Sequence, residues 1–458
     1  MLKLTTKKRD EKPRGLGRLK RFEPLFDPEE ASGICDEFTE RMMDGVNALR
    51  CKKFFKGEST DDMRIAESYR MDSQYVPTQV LETIPSGDIR LDLMLAVDRF
   101  NNRGIPRGKC IEMSGEEEMM KSARAAAMVA AIQKDPRGAI VHWHETENKV
   151  NARYIKAAGC DISRIIITLP DYIEQVYYDT GQRLREYIKV RDRFVTKYIR
   201  KHHTSKTITP LELEELIFRG RMSFPIFVDV YDSIGNHRSK ESYQKSKKGT
   251  TTKTPGKHAQ AHADGYREIV TPLGNAMGIF IVINHTKDEF SQGQHSSWGA
   301  KKTTTYGGRS IKFMSSIRIE HKKGIGKGGP KSTFLKVTRR GKELIVGKWL
   351  TLKFIKNSLV ETSHQRIEHV LFRYKPGVCF DMGVSYLLAL EEAGHTKGPI
   401  KLTSKHKNKI IVPGGKVVEA TFRDLHDMLA SNNSLRNGLR KLLVNHANEN
   451  SILVRKDV

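Results

Sequence analysis

One run constrains this 458-residue chain more than any other: Ser114-Gly115-Glu116-Glu117-Glu118-Met119-Met120-Lys121-Ser122. Gly, four residues, Gly, Lys, then Ser or Thr is the spacing of a loop that cradles phosphates with backbone N–H groups. Gly115, Lys121 and Ser122 fall in register, and Met120 stands where the second Gly belongs. Lys109–Met113 ahead of it reads as a short apolar strand. Ala123–Gln133 behind it is Ala-rich, free of Gly and Pro, and reads as a helix. A strand, a loop and a helix N-terminus in this order aim free N–H groups and the positive end of the helix dipole at a polyphosphate. Lys121 is then placed for the β- and γ-phosphates and the Ser122 hydroxyl for Mg²⁺. Glu116, Glu117 and Glu118 oppose this reading, because they put three carboxylates where an anion must bind.

The surrounding text supplies the rest of an α/β fold. Short β-rich runs recur at Ala139–Trp143, Ile165–Leu169, Ile226–Tyr231, Ile279–Ile283 and Ile311–Ile319, with helical stretches between them. Buried strands alternating with helices predict a mostly parallel central sheet. The boundaries read as a basic flexible arm over 1–27, an N-terminal helical segment over 28–83, a core over 84–358 and a basic C-terminal region over 359–458. A helical insertion interrupts the core at about 172–221. There Leu184, Tyr187, Ile188, Val195, Tyr198 and Ile199 share one face, and Thr209-Pro210-Leu211-Glu212 starts a second helix. Residues 236–265 and 285–308 read as long polar loops. The five cysteines are scattered, so they predict small buried hydrophobes in a reducing compartment rather than disulfides or a metal site.

The formal charge of +26 requires a polyanionic partner. No run is apolar and long enough to span a membrane, which leaves nucleic acid as the expected partner. The first polar loop carries Lys245, Lys247, Lys248 and Lys253. The second carries Lys301, Lys302 and Arg309 interleaved with Phe290 and Trp298. Cations track a phosphate backbone and aromatic rings stack on unpaired bases. Among acids, Asp232 ends an apolar strand where ligands bind in open α/β sheets, and it fits an Mg²⁺ role better than Asp229. Glu145 and Glu147 follow another strand, and either suits a base that orients water. His142 and His144 project from one face of that strand. With no third ligand in the segment, core histidines are expected there rather than a metal site.

The order of these parts resembles the RecA family of recombinases, in particular the phage recombinases of the UvsX type. The resemblance rests on Ile84-Pro85-Ser86-Gly87, Leu91-Asp92 and Gly104-Ile105-Pro106-Arg107-Gly108 before the loop. After it come Glu147 with Ala152-Arg153-Tyr154, Asp232-Ser233-Ile234-Gly235, Ile283-Asn284-His285-Thr286, Gly307-Gly308 and Lys356-Asn357. UvsX-type chains also carry a bulky residue at the Met120 position. The resemblance implies a RecA-like ATPase core with an N-terminal polymerisation segment and a small C-terminal α/β domain. It implies ATP and Mg²⁺ as cofactors, Glu147 as the residue activating water, and Tyr154 against the adenine. It makes His285 the sensor of the γ-phosphate and Lys356 a contact to the neighbouring protomer's nucleotide. The implied function is a recombinase that polymerises on single-stranded DNA, pairs it with double-stranded DNA, and works in the host bacterial cytoplasm if the chain is a phage protein. A mediator and a single-strand binding protein are the further partners this implies. A RecA-fold DNA scaffold without hydrolysis and a hexameric RecA-fold helicase remain as alternatives.

Overall fold

The computed structural model describes residues 37, 80–202, 224–235, 237–248, 256–288, 303–324, 333–339, 341–360, 366–374, 379–403 and 405–449. The arm at 1–27, nearly all of 28–79, and the Thr209-Pro210-Leu211-Glu212 start lie outside these residues.

Strand β1 (Thr83–Ile84) leads into helix α1 (Ile89–Leu95), capped by the Asp88 carboxylate, and β2 (Ile105–Pro106) returns antiparallel to β1. The phosphate-loop strand is β3 (Lys109–Gly115), and its helix is α2 (Lys121–Ile132). Next come β4 (Ala139–Glu145), α3 (Ala152–Ala157), β5 (Ile165–Thr168) and the long helix α4 (Ile173–His202). The chain continues through β6 (Ile226–Asp232), α5 (Lys240–Lys247), α6 (Lys257–Asn275) and β7 (Ile279–Ile283). A small hairpin of β8 (Thr286–Asp288) and β9 (Thr303–Thr305) precedes α7 (Gly308–Met314) and β10 (Ile317–Lys323). Strands β11 (Phe334–Arg339), β12 (Lys342–Asn357), β13 (Arg366–Arg373) and β14 (Cys379–Phe380) extend the sheet. Helix α8 (Met382–Glu392), hairpin β15 (Asn408–Ile411) and β16 (Val417–Ala420), α9 (Phe422–Ser431) and α10 (Asn433–Glu449) complete it.

The main sheet runs β14-β13-β12-β10-β3-β7-β6-β4-β5, with β11 on the far part of β12. From β10 to β5 every pairing is parallel, and beyond β10 every pairing is antiparallel. The parallel half is covered on both faces, which explains its near-continuous apolar runs. Residues of even and odd parity separate, as a two-residue repeat demands. Val228 and Val230 join Ile111, Met113, Val141 and Trp143 under the alanines of α2, whereas Phe227 and Tyr231 join Ile140 and Phe280 under α4 and α6. A third cluster holds α8, α9, α10 and the β15–β16 hairpin together. It is tied to the core by Arg440, paired with buried Asp92, and by the Ser385 hydroxyl, which donates to Asp88, the acid that Arg124 also meets at 2.9 Å.

Three expectations need correction. Residues 236–265 are largely helical, not one loop. Ser239 caps α5 by accepting the Ser242 N–H, and α6 starts after Gly256 in the left-handed region. The polar composition hides α6 because its buried stripe contains small residues: at Gly265 a Cβ would lie 2.3 Å from the Tyr177 ring. The run Ile311–Ile319 is not one strand; α7 occupies its first part, Ser315 breaks it, and β10 begins at Ile317. The polar stretch 285–308 is pinched at its base by β8 and β9. Of the α4 face, Leu184 and Tyr187 are buried and Ile188 is half-buried.

Candidate phosphate-loop and nucleic-acid site

β3 delivers its loop between β7 and β10, at the C-terminal edge of the parallel strands. Gly115 is required by packing as well as by its φ of +150, since a Cβ there would meet the His321 carbonyl oxygen at 2.5 Å. Met120 sits at φ 56, ψ 33, the left-handed conformation that a β-carbon disfavours. Met in place of Gly therefore costs about 1–2 kcal/mol of backbone strain while leaving the path of the loop intact. The three glutamates are exposed rather than folded into the cradle. Glu116 lies 3.9 Å from Lys323, and the Glu118 carbonyl accepts a hydrogen bond from Lys348 at 3.0 Å. Lys121 is buried, and its Nζ donates to the carbonyls of Gly115 at 3.0 Å and Glu116 at 2.6 Å. Burial lowers its pKa to about 8, against the pull of Asp232 and Glu147.

Asp232 ends β6, paired in register with Glu145 of β4 and Ile283 of β7. Burial, together with the carboxylates of Glu145 and Glu147, pushes its pKa up to about 7, although the Ser122 hydroxyl and Lys121 oppose the rise. The Ser122 hydroxyl and the Asp232 carboxylate are an oxygen pair of the kind that holds Mg²⁺ with waters and phosphate.

The two candidate bases separate cleanly. Glu145 is consumed by the backbone: its Oε1 accepts the N–H groups of Glu147 at 2.7 Å and Lys149 at 3.3 Å. Glu147 Oε1 instead accepts from His285 Nε2 at 2.8 Å and from the Ser233 hydroxyl, and its Oε2 accepts from Lys149 at 2.8 Å. The His285 hydrogen bond is the chief reason its pKa is lowered below the usual carboxylate range, so Glu147 is ionised near neutrality. His285 follows Asn284, whose Nδ2 donates to Glu112 at 2.8 Å and to the Tyr306 carbonyl at 3.0 Å. Glu112 in turn is bonded to Arg318, and Arg318 reaches Thr305 Oγ1 of β9 at 3.2 Å. One continuous chain of polar contacts thus runs from Glu147 to the base of residues 289–302. Tyr154 is half-buried on α3, packed on the main core near Asp232.

A family model of the RecA N-terminal domain matches residues 69–184. Among curated proteins the chain is similar to Protein RecA of Fusobacterium nucleatum, 27% identical over 243 residues that cover 53% of this chain and 50% of the relative. Protein RecA of Petrotoga mobilis is 25% identical over 292 residues, 64% of this chain and 62% of the relative. Protein RecA of Aquifex pyrophilus is 25% identical over 278 residues, 60% and 65% of the two chains. The chain thus spans between half and two thirds of the length of these relatives. The core is a RecA-like domain. At this identity the matches support the RecA family for the chain.

Relative to this RecA-like core, the predicted DNA residues fall into three groups. Lys245 and Lys247 lie on α5, with Lys248 at its C-cap. Exposed Arg309 lies on α7. Lys253, Phe290, Trp298, Lys301 and Lys302 lie outside the described residues. Lys356, near the end of β12, donates to the carbonyls of Lys312 and Phe313 at 3.0 Å each. Those carbonyls belong to the last turn of α7, and the neighbouring Phe313 side chain is 77% exposed. Lys356 is therefore not part of its own chain's phosphate loop. Two aromatic residues were missed by the sequence reading. Tyr172 and Tyr243 stand 5.8 Å apart, with Lys240 over the first ring at 5.9 Å and Lys247 over the second at 4.6 Å. Tyr243 sits inside the basic run and was available as a signal. Tyr172 joins it only through the fold. No helix among the described residues is long and apolar enough to cross a membrane.

Proposed function

We propose that the chain is an ATP-dependent DNA recombinase of the UvsX type, forming helical filaments on single-stranded DNA and pairing that strand with homologous duplex. The observation that carries this reading is the Glu147–His285 contact, because it joins an ionised candidate base to a polar chain ending at Thr305 of β9, directly after the basic and aromatic run of the sequence. In this reading Lys121 exchanges the carbonyls of Gly115 and Glu116 for β- and γ-phosphate oxygens. Ser122 and Asp232 hold Mg²⁺, which when bound neutralises charge developing on the transferred phosphoryl group. Tyr154 faces the adenine. Glu147 accepts the proton of the attacking water, and His285 keeps it ionised and oriented. A change at the γ-phosphate alters the His285–Glu147 contact and is passed through Asn284, Glu112 and Arg318 to β9 and the loop bearing Phe290, Trp298, Lys301 and Lys302. Lys356 trades the α7 carbonyls for the nucleotide of the next protomer, which couples nucleotide state to filament geometry. A mediator and a single-strand binding protein are the further partners of this reading.

Negative-stain imaging of the protein with single-stranded DNA, with and without a non-hydrolysable ATP analogue, tests it. Helical filaments that need the analogue and vanish in Lys121→Ala are the expected result. Closed rings would make the chain a helicase. Filaments indifferent to the analogue and to Lys121→Ala would make it a scaffold.

A further inference from the structure

On the face of β6 away from the phosphate loop, three fully buried side chains converge: His142 and His144 of β4 and Asp229 of β6. We propose that they form a structural binding site for a tetrahedral divalent transition metal of the Zn²⁺ class, a site independent of nucleotide and DNA.

The sequence reading set a metal aside because no third ligand was in view. The fold supplies it from a strand 87 residues downstream. One ligand atom from each residue falls within 4.8 Å of the others. His142 Nδ1 is 3.3 Å from Asp229 Oδ2, and His144 Nε2 is 3.2 Å from Asp229 Oδ1. A charge-assisted imidazole–carboxylate hydrogen bond is shorter, about 2.7–2.9 Å. Ligands held about 2.0–2.1 Å from a tetrahedral zinc ion are separated by about 3.3 Å, close to the two imidazole–carboxylate distances, each made to a different oxygen of Asp229. Direction agrees with distance. Asp229 Oδ1, 3.2 Å from His144 Nε2, has no hydrogen-bond partner. Buried polar atoms left in this state are rare without a ligand to explain them.

The outer contacts suit the same assignment. His142 Nε2 lies 2.8 Å from the Thr168 hydroxyl, a contact that can fix the proton on Nε2 and turn the Nδ1 lone pair inward. His144 Nε2 lies 3.1 Å from the Thr180 hydroxyl on α4, which places an oxygen beside the fourth position. Two imidazoles and a carboxylate match a borderline transition metal better than a hard divalent cation such as Mg²⁺. Such an ion would tie β4 to β6 beneath Glu145 and Asp232, and through Thr168 and Thr180 would engage β5 and α4.

The test uses the full chain, stripped with EDTA and then held in Mg²⁺ and an ATP analogue so that Ser122 and Asp232 are occupied. Titration with Zn²⁺, followed by gel filtration and metal analysis, should give one equivalent per chain, and Co²⁺ in its place should give the strong visible bands of a tetrahedral site. Asp229→Asn keeps the shape and removes the anionic ligand; it should weaken Zn²⁺ by more than about 100-fold and abolish the Co²⁺ bands. Thr168→Val changes only the outer contact, so it remains informative if Asp229→Asn does not fold, and should weaken Zn²⁺ about 10-fold. Wild type that holds no Zn²⁺ and gives no Co²⁺ bands overturns the proposal. So does Zn²⁺ affinity that is the same in wild type and in each variant that folds.

Discussion

Asp229 and Asp232 lie three residues apart on one strand, both buried, and the fold treats them in opposite ways. Asp232 faces α2 and the phosphate loop, where its nearest charged neighbours include two other carboxylates, and its pKa rises to about 7. Asp229 faces α4 and α6. Burial would raise its pKa too, but the imidazoles of His144 and His142 overcome that and hold it well below the usual range. The first acid suits a cation delivered with a ligand, and the second lies against two imidazoles of its own chain. A buried carboxylate is thus a functional candidate when its neighbours leave it unbalanced, and a structural one when they do not.

Substituting the two in parallel is the strongest test of that contrast. Asp229 has a depressed folded pKa, so its stabilisation is present above its ordinary 3.8 and is lost as pH falls toward the folded value. Asp229→Asn should therefore destabilise the protein at pH 7, by about 3–5 kcal/mol if it acts as one half of a broken buried pair. Asp232 has a raised folded pKa. Its protonated form favours the fold below its ordinary 3.8, and that contribution is lost as pH rises through about 7. Asp232→Asn should accordingly stabilise the nucleotide-free protein above pH 7, on the order of 2–4 kcal/mol, while removing the response to Mg²⁺ and nucleotide. Urea midpoints at pH 5 and pH 8 for both variants give the comparison. Equal signs would break it.

A second contrast separates the strand-end site, built from buried groups, from the outer basic surface. DNA affinity should fall on the order of 10³-fold between 50 and 200 mM salt if about six phosphate contacts form. Asp229→Asn should leave that slope unchanged, and fluorescence anisotropy at several salt concentrations checks it. A flat slope would show that the charge of +26 is not spent on phosphates. The smallest effect concerns the rings. Tyr243→Ala should weaken single-strand binding by roughly 1–3 kcal/mol if that ring stacks on bases, with no loss of melting temperature. An unchanged affinity would leave Tyr172 and Tyr243 as a surface contact only.

Much of the strand-end site was legible in the sequence because its parts are local. Gly115, Lys121 and Ser122 are a spacing, and Asp232 is an acid closing an apolar run. Glu147 was separable from Glu145 only by family resemblance; in three dimensions the difference is that Glu145 is spent on two backbone N–H groups. The parallel strands were legible because burial on both faces leaves unbroken apolar text. Helix α5 and the first half of α6 were not, since one is polar and short and the other buries Ala261, His262 and Gly265 before Ile269 and Leu273 appear. The His142–His144–Asp229 cluster needs β4 and β6 to be neighbours, which no local pattern in either strand states.

The central claim is that Glu147, held by His285, is the base of an ATP-using site. The most direct measurement is single-turnover ATP hydrolysis with saturating single-stranded DNA, alongside nucleotide affinity, in wild type and Glu147→Gln. The account predicts a loss of roughly 10²–10⁴-fold in the rate with nucleotide affinity essentially unchanged, because only the proton acceptor is removed. Hydrolysis at the wild-type rate in Glu147→Gln would contradict it.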